Sequence, residues 1–152
     1  MLDLRSIYAT TVVAKLPEEK FDFLGYTFGR CYSPKTGRAY LGTVPAKKRV
    51  IRICQAISNE TGHNRTQLDQ KTVVTKLNQM MNGWANYFCL GPVSKAYQAV
   101  DQHTCKRLRQ WLRGKHKEAR LTIRKYSDAT LHERFGLVRL TERTRNFSWA
   151  KS

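Results

Sequence analysis

The 152-residue chain has no closely spaced cysteine pair, no adjacent aspartates and no long uninterrupted apolar run. Cys31, Cys54, Cys89 and Cys105 stand apart without a C-x-x-C among them, which argues against a zinc ribbon. The Met1 to Leu16 stretch has no hydrophobic segment of signal type, so a secreted disulfide scaffold is not expected either. A bilayer-spanning helix needs roughly 20 consecutive apolar residues, and no stretch approaches that. The expectation is a cytoplasmic protein with reduced thiols and no membrane contact. Internal repeats and low-complexity tracts are also missing, and the length suits one ordinary domain rather than a multidomain enzyme.

Acidic residues are scarce: 11 against 28 Lys and Arg, for a formal charge of +17. Six basic and four acidic residues precede Pro45, whereas twenty-two and seven follow it, so nearly all of the surplus sits in the second part. Such a field needs a polyanion or an acidic surface as its counterpart. The few carboxylates, among them Asp3, Asp22, Asp69, Asp101 and Asp128, form no cluster that would hold two metal ions. His63, His103, His116 and His132 show no metal-ligand pairing. No catalytic residue, metal or cofactor is therefore assigned.

What is present reads as one sheet element and three helices. Aromatics at 21, 23, 26 and 28 predict a strand, with a change of phase at Leu24-Gly25 that suggests a bulge or close packing. Ser33 to Gly37 supplies a turn, and Ala39 to Gly42 returns as the second strand of a hairpin. Pro45 suits the start of a first helix with Val50, Cys54 and Ile57 inside and Lys47, Lys48, Arg49 and Arg52 largely opposite. Thr66-x-x-Asp69 can cap a second helix carrying Val73, Leu77, Met80, Trp84 and Tyr87. After the Gly91-Pro92 break, Ser94 can cap a third, with Tyr97, Val100, Thr104, Leu108 and Trp111 on one face and Gly114 at its end. Lys115 to Arg124 reads as an exposed connection, and Ser127 as the cap of a short segment ending at Gly136. The expected fold class is mainly α: an N-terminal β-hairpin, a three-helix bundle and a basic C-terminal tail, divided at 1–44, 45–126 and 127–152.

Two stretches carry functional signal. Lys106, Arg107, Arg109 and Arg113 run on into Lys115, Lys117, Arg120, Arg124 and Lys125, with Trp111 and Tyr126 interleaved. Positions 106, 109 and 113 share one side of a helix, so these cations, with those of the first helix, form the candidate phosphate-binding set. Gly83-Trp84-Ala85-Asn86-Tyr87-Phe88 places a glycine inside a helical pattern, where it costs about 1 kcal/mol relative to alanine. Close approach of another helix, or of RNA, would explain it. The burial habits of aromatics favour a core role for Trp84, Tyr87 and Phe88, with base stacking as the alternative.

This hexapeptide resembles the G-W-x-N-Y-aromatic signature of the thumb, or maturase, domain in group II intron reverse transcriptase-maturases. Phe21, Phe23, Leu24 and Gly25 resemble the F-x-F-L-G block that closes the palm in that family. The run from Tyr97 to Trp111, with Asp101, resembles its last thumb helix, and the order and spacing agree. The likeness spans roughly Phe21 to Ser152; Met1 to Lys20 departs from it and reads as a truncation scar. The resemblance implies that the three helices are thumb-like, and that the protein binds group II intron RNA and assists its folding and splicing. The family's polymerase carboxylates come from a Y-A-D-D segment that this chain lacks, so the reading is noncatalytic. Two other readings stand beside it. One is the thumb subunit of a split reverse transcriptase whose palm is encoded separately; the other is a nonfunctional remnant of a mobile element.

Overall fold

In the computed structural model, residues 19–117 and 124–146 are described. Their first part is a three-stranded antiparallel sheet, ordered β1 (Phe21–Phe23), β2 (Tyr26–Tyr32), β3 (Ala39–Pro45). Phe23 faces Tyr26 across the first pair, and Tyr26 faces Pro45 across the second. Leu24 and Gly25, with φ of 51° and 84°, form a two-residue turn of the mirror-image type that suits the twist of a hairpin. The change of phase at Leu24-Gly25 is therefore a reversal of the chain, not a bulge, and the single hairpin expected from the sequence becomes three strands. A Cβ at Gly25 would also lie 3.2 Å from Arg49 Nε and from the Phe88 ring, so this turn is packed closely as well as sharply bent.

Three long helices follow: α1 (Lys47–Glu60), α2 (Gln70–Tyr87) and α3 (Ser94–Lys115), then the short α4 (Asp128–Glu133) and α5 (Leu140–Arg143). The fold is mainly α, as expected. β3 continues past Gly42 to Pro45, which pairs in the ladder, so α1 begins two residues later than the proline suggested. α1 buries Ile53 and Ile57, with Val50 and Cys54 packed alongside. α2 is capped by Asp69, which accepts from the Lys71 amide at 3.0 Å; the Thr66 hydroxyl instead donates to the His63 carbonyl. Ser94 starts α3 rather than capping it, and α3 runs through Gly114 to Lys115. Ser127 caps α4 as expected, accepting from the Thr130 amide at 3.2 Å.

The buried face of α3 contains all five residues that its periodicity marked, and adds Asp101, Cys105 and Leu112. That of α2 is rotated: Val73, Val74, Leu77, Met81 and Ala85 are inside, Met80 and Trp84 are half-buried, and Tyr87 is exposed. The rotation accommodates residues far along the chain. Leu131, Leu137 and Leu140 enter the same core cluster as α1, α2 and α3, so α2 must serve partners on two sides. Fully burying one such leucine stabilises the fold by about 1.5–3 kcal/mol. Asn78 fixes this return segment, donating to the Gly136 carbonyl and accepting from the Val138 amide, both at 2.8 Å.

Candidate nucleic-acid interface

α1 and α3 run side by side in the same direction. Lys47, Val50 and Ile51 at the start of α1 line one groove with Lys95, Ala96 and Ala99 at the start of α3. Towards the other end, Ser58 Oγ lies 2.9 Å from His103 Nε2, and the Ser58 carbonyl accepts from Arg107 Nη2 at 3.0 Å. The seam thus carries Lys47 and Lys95 at one end and Lys106 and Arg107 at the other. Lys95 escaped the sequence reading because it stands alone, away from the charge run. Burial, and the nearby charges of Arg107 and Lys106, hold the His103 imidazole below its usual pKa, so it is a neutral hydrogen-bonding group at pH 7.

The remaining cations divide by what they already hold. Arg52, Lys106, Lys117, Arg124 and Lys125 are exposed, as is Arg113; Lys48 is exposed but pairs with Asp22 at 2.9 Å. The Thr27 hydroxyl and Lys48 together keep the Asp22 carboxyl below its usual pKa. Arg49 is half-buried against the Leu24-Gly25 turn. Arg107 donates to the Thr61 hydroxyl and carbonyl as well as to Ser58, which closes the end of α1. Arg109 Nε donates to the Tyr126 carbonyl at 2.7 Å and its guanidinium pairs with Asp128, tying α3 to the start of α4. Lys115 caps the loop before α2 through the carbonyls of Thr66 and Leu68, at 3.2 and 2.7 Å. Arg120 lies outside the described residues. Trp111 and Tyr126 are buried, each with a lysine ammonium 5.3 Å from its ring, so they back the cations rather than offering a stacking surface.

The Gly83 to Phe88 stretch is a hub that joins three parts of the molecule. The Trp84 ring lies 5.0 Å from Phe88 and 6.0 Å from Tyr97, a core position, although its Nε1 is buried with no hydrogen-bond partner among the described residues. Buried Tyr97 donates to the carbonyls of Ala85 and Phe88, which satisfies the C-terminal end of α2; burial pushes this phenol up to about 12. Tyr87, expected in the core, instead donates outward to the Leu24 carbonyl at 2.9 Å, while Tyr26 donates to the Tyr87 carbonyl. Sheet and helix are locked together by these two tyrosines. Asn86 accepts from Arg143. Gly83 admits no neighbouring helix among the described residues, none of which lies within 4 Å of the position a Cβ would take.

Asp101 is a structural carboxylate. It accepts from the amides of Leu140 and Thr141 at 2.9 and 3.0 Å and from the Thr141 hydroxyl at 3.0 Å, holding α5 on α3. Nearby, Cys105 Sγ and His132 Nε2 are 3.5 Å apart, and His132 Nδ1 lies 2.8 Å from the Leu137 carbonyl. Because a carbonyl only accepts, His132 Nδ1 carries a proton and donates to it. Burial, with the negative charges of Asp128 and Asp101, pushes Cys105 up to about 12, so the thiol stays protonated and is not an activated nucleophile. Among the described residues, no three His, Cys, Asp or Glu side chains gather as a metal site, and no helix is long and apolar enough to cross a membrane. Residues 50–127, just over half of the chain, match the family described as the group II intron, maturase-specific domain. No curated protein matches the chain.

Proposed function

The chain belongs to the group II intron maturase-specific domain family, and from that premise we propose that it is a noncatalytic RNA-binding domain that holds structured group II intron RNA and favours its splicing-competent fold. The observation that carries this reading is the charge on the three long helices: twelve Lys and Arg against two acids. Neither acid opposes a polyanion strongly. Asp101 is buried beneath α5, and Glu60 pairs with Arg65 at 3.3 Å. Exposed Lys47 and Lys106, at opposite ends of the α1–α3 seam, would meet separate phosphates of one RNA, and the RNA would supply the splicing chemistry.

In this reading the helical part, 45–126, is the thumb-like maturase unit. Residues 1–44 are a residual palm end, and 127–152 form a basic extension whose segment up to Arg143 rests on the helices. Neutralising about six phosphates gives a log–log salt slope of roughly −4 to −5. Binding of a group II intron transcript across a salt series tests this, and an affinity indifferent to salt refutes it. A second reading, the thumb of a split reverse transcriptase, is favoured by the apolar side chains that the sheet exposes, Phe21, Phe23, Leu24 and Leu41, as a surface that a separately encoded palm would cover. Nucleotide incorporation that appears only when such a palm is added would support it.

A further inference from the structure

The outward face of α2 carries a stripe at helical spacing formed by Thr72, Thr75, Lys76, Gln79, Gly83 and Asn86, all exposed. No acidic residue occurs anywhere on the helix. A glycine in the middle of an exposed helix weakens it, and packing among the described residues offers no reason for one at 83, since none of them lies within 4 Å of the position a Cβ would take. Beside it, the Asn82 and Asn86 carboxamides are oriented by one guanidinium. Arg143 Nη1 donates to Asn82 Oδ1 at 3.3 Å and Nη2 to Asn86 Oδ1 at 2.6 Å. Because arginine only donates, both amide oxygens must face it, which leaves both Nδ2 groups as donors directed elsewhere.

We propose that this face, centred on Gly83, is a second RNA contact, separate from the α1–α3 seam, where a sugar–phosphate strand runs against the backbone of α2. The missing side chain lets the strand approach the helix closely. Asn82 and Asn86 donate to its phosphate or ribose oxygens, and Arg143 supplies positive charge beneath them. A protein partner would call for an apolar stripe here, whereas hydroxyl, amide and ammonium groups suit a polyanion. The inference rests on the RNA-binding reading above and assigns that reading a surface its basic seam does not include.

The test uses the full chain and a group II intron transcript. Gly83→Ala fits the free protein and is a better helix former, so it raises the melting temperature by about 2–4 °C. It nevertheless weakens RNA binding about threefold, because a methyl group now stands in the strand's path. Gly83→Gln, also at ease on an exposed helix, weakens binding about tenfold, the factor that loss of the adjoining hydrogen bonds brings, and leaves the salt slope within one unit of wild type because no charge has changed. A Lys47→Ala, Lys106→Ala variant reports on the seam alone, through a shallower slope. Gly83→Gln binding within twofold of wild type, beside a weakened seam variant, overturns the α2 contact and leaves the RNA-binding reading standing. A wild-type chain that shows no salt-dependent binding overturns both.

Discussion

Replacing Asp101 tests whether the C-terminal return is part of the folding unit. The carboxylate is almost fully buried and receives the amides of Leu140 and Thr141, the first two residues of α5. In Asp101→Ala those amides lose their acceptor, and each buried donor left without one costs about 1–3 kcal/mol. The Thr141 hydroxyl, half-exposed, can turn to water, and removing a buried charge returns part of the loss. A net destabilisation of about 2–4 kcal/mol follows. For a domain of this size each kcal/mol moves the melting temperature by about 2–4 °C, so the midpoint should fall by about 5–15 °C. Asp101→Asn keeps one acceptor oxygen but turns an amino group towards the remaining donors, and should fall between Ala and wild type. Urea denaturation with hydrogen exchange at the Leu140 and Thr141 amides reads both effects. Should Asp101→Ala melt within 2 °C of wild type, with those amides as protected as before, α5 is not held by this carboxylate and the reasoning fails.

Two further outcomes follow from the packing. Trp84→Ala should destabilise by about 3 kcal/mol, the lower end for a large aromatic because the ring is half-buried, whereas Trp84→Phe should cost less, since it also removes the unpartnered Nε1 donor; chemical denaturation that ranks them the other way refutes the core role. Arg109→Ala should lower stability by about 1–3 kcal/mol through the lost Tyr126 carbonyl bond, although its position in the charge run would suggest a neutral surface change, and a melting temperature equal to that of Lys106→Ala would contradict this.

Local information decided much of this protein. The spacing of Tyr97, Val100, Thr104, Leu108 and Trp111 specified the buried face of α3, because a helix that packs along most of its length must repeat its apolar residues near 3.6. Ser127 announced the start of α4 because capping involves atoms only three residues apart. The charge imbalance needed no structure at all.

What the tertiary structure alone decided depends on residues distant in the chain. Leu24-Gly25 became a turn because Phe23 and Tyr26 pair, and a change of phase in an aromatic run reads the same for a bulge as for a reversal. The buried face of α2 could not be read from its own period, since Tyr87 is drawn out to the Leu24 carbonyl while Met81 and Ala85 turn into a core shared with Leu137 and Leu140. Charge behaves in the same way: the sequence by itself determined how many cations there are, but only folding brought the carbonyls of Ser58, Thr61, Tyr126, Thr66 and Leu68 to Arg107, Arg109 and Lys115. A charge run sums locally, whereas hydrogen bonds to a guanidinium or an ammonium are formed by whichever segments the core happens to place beside it.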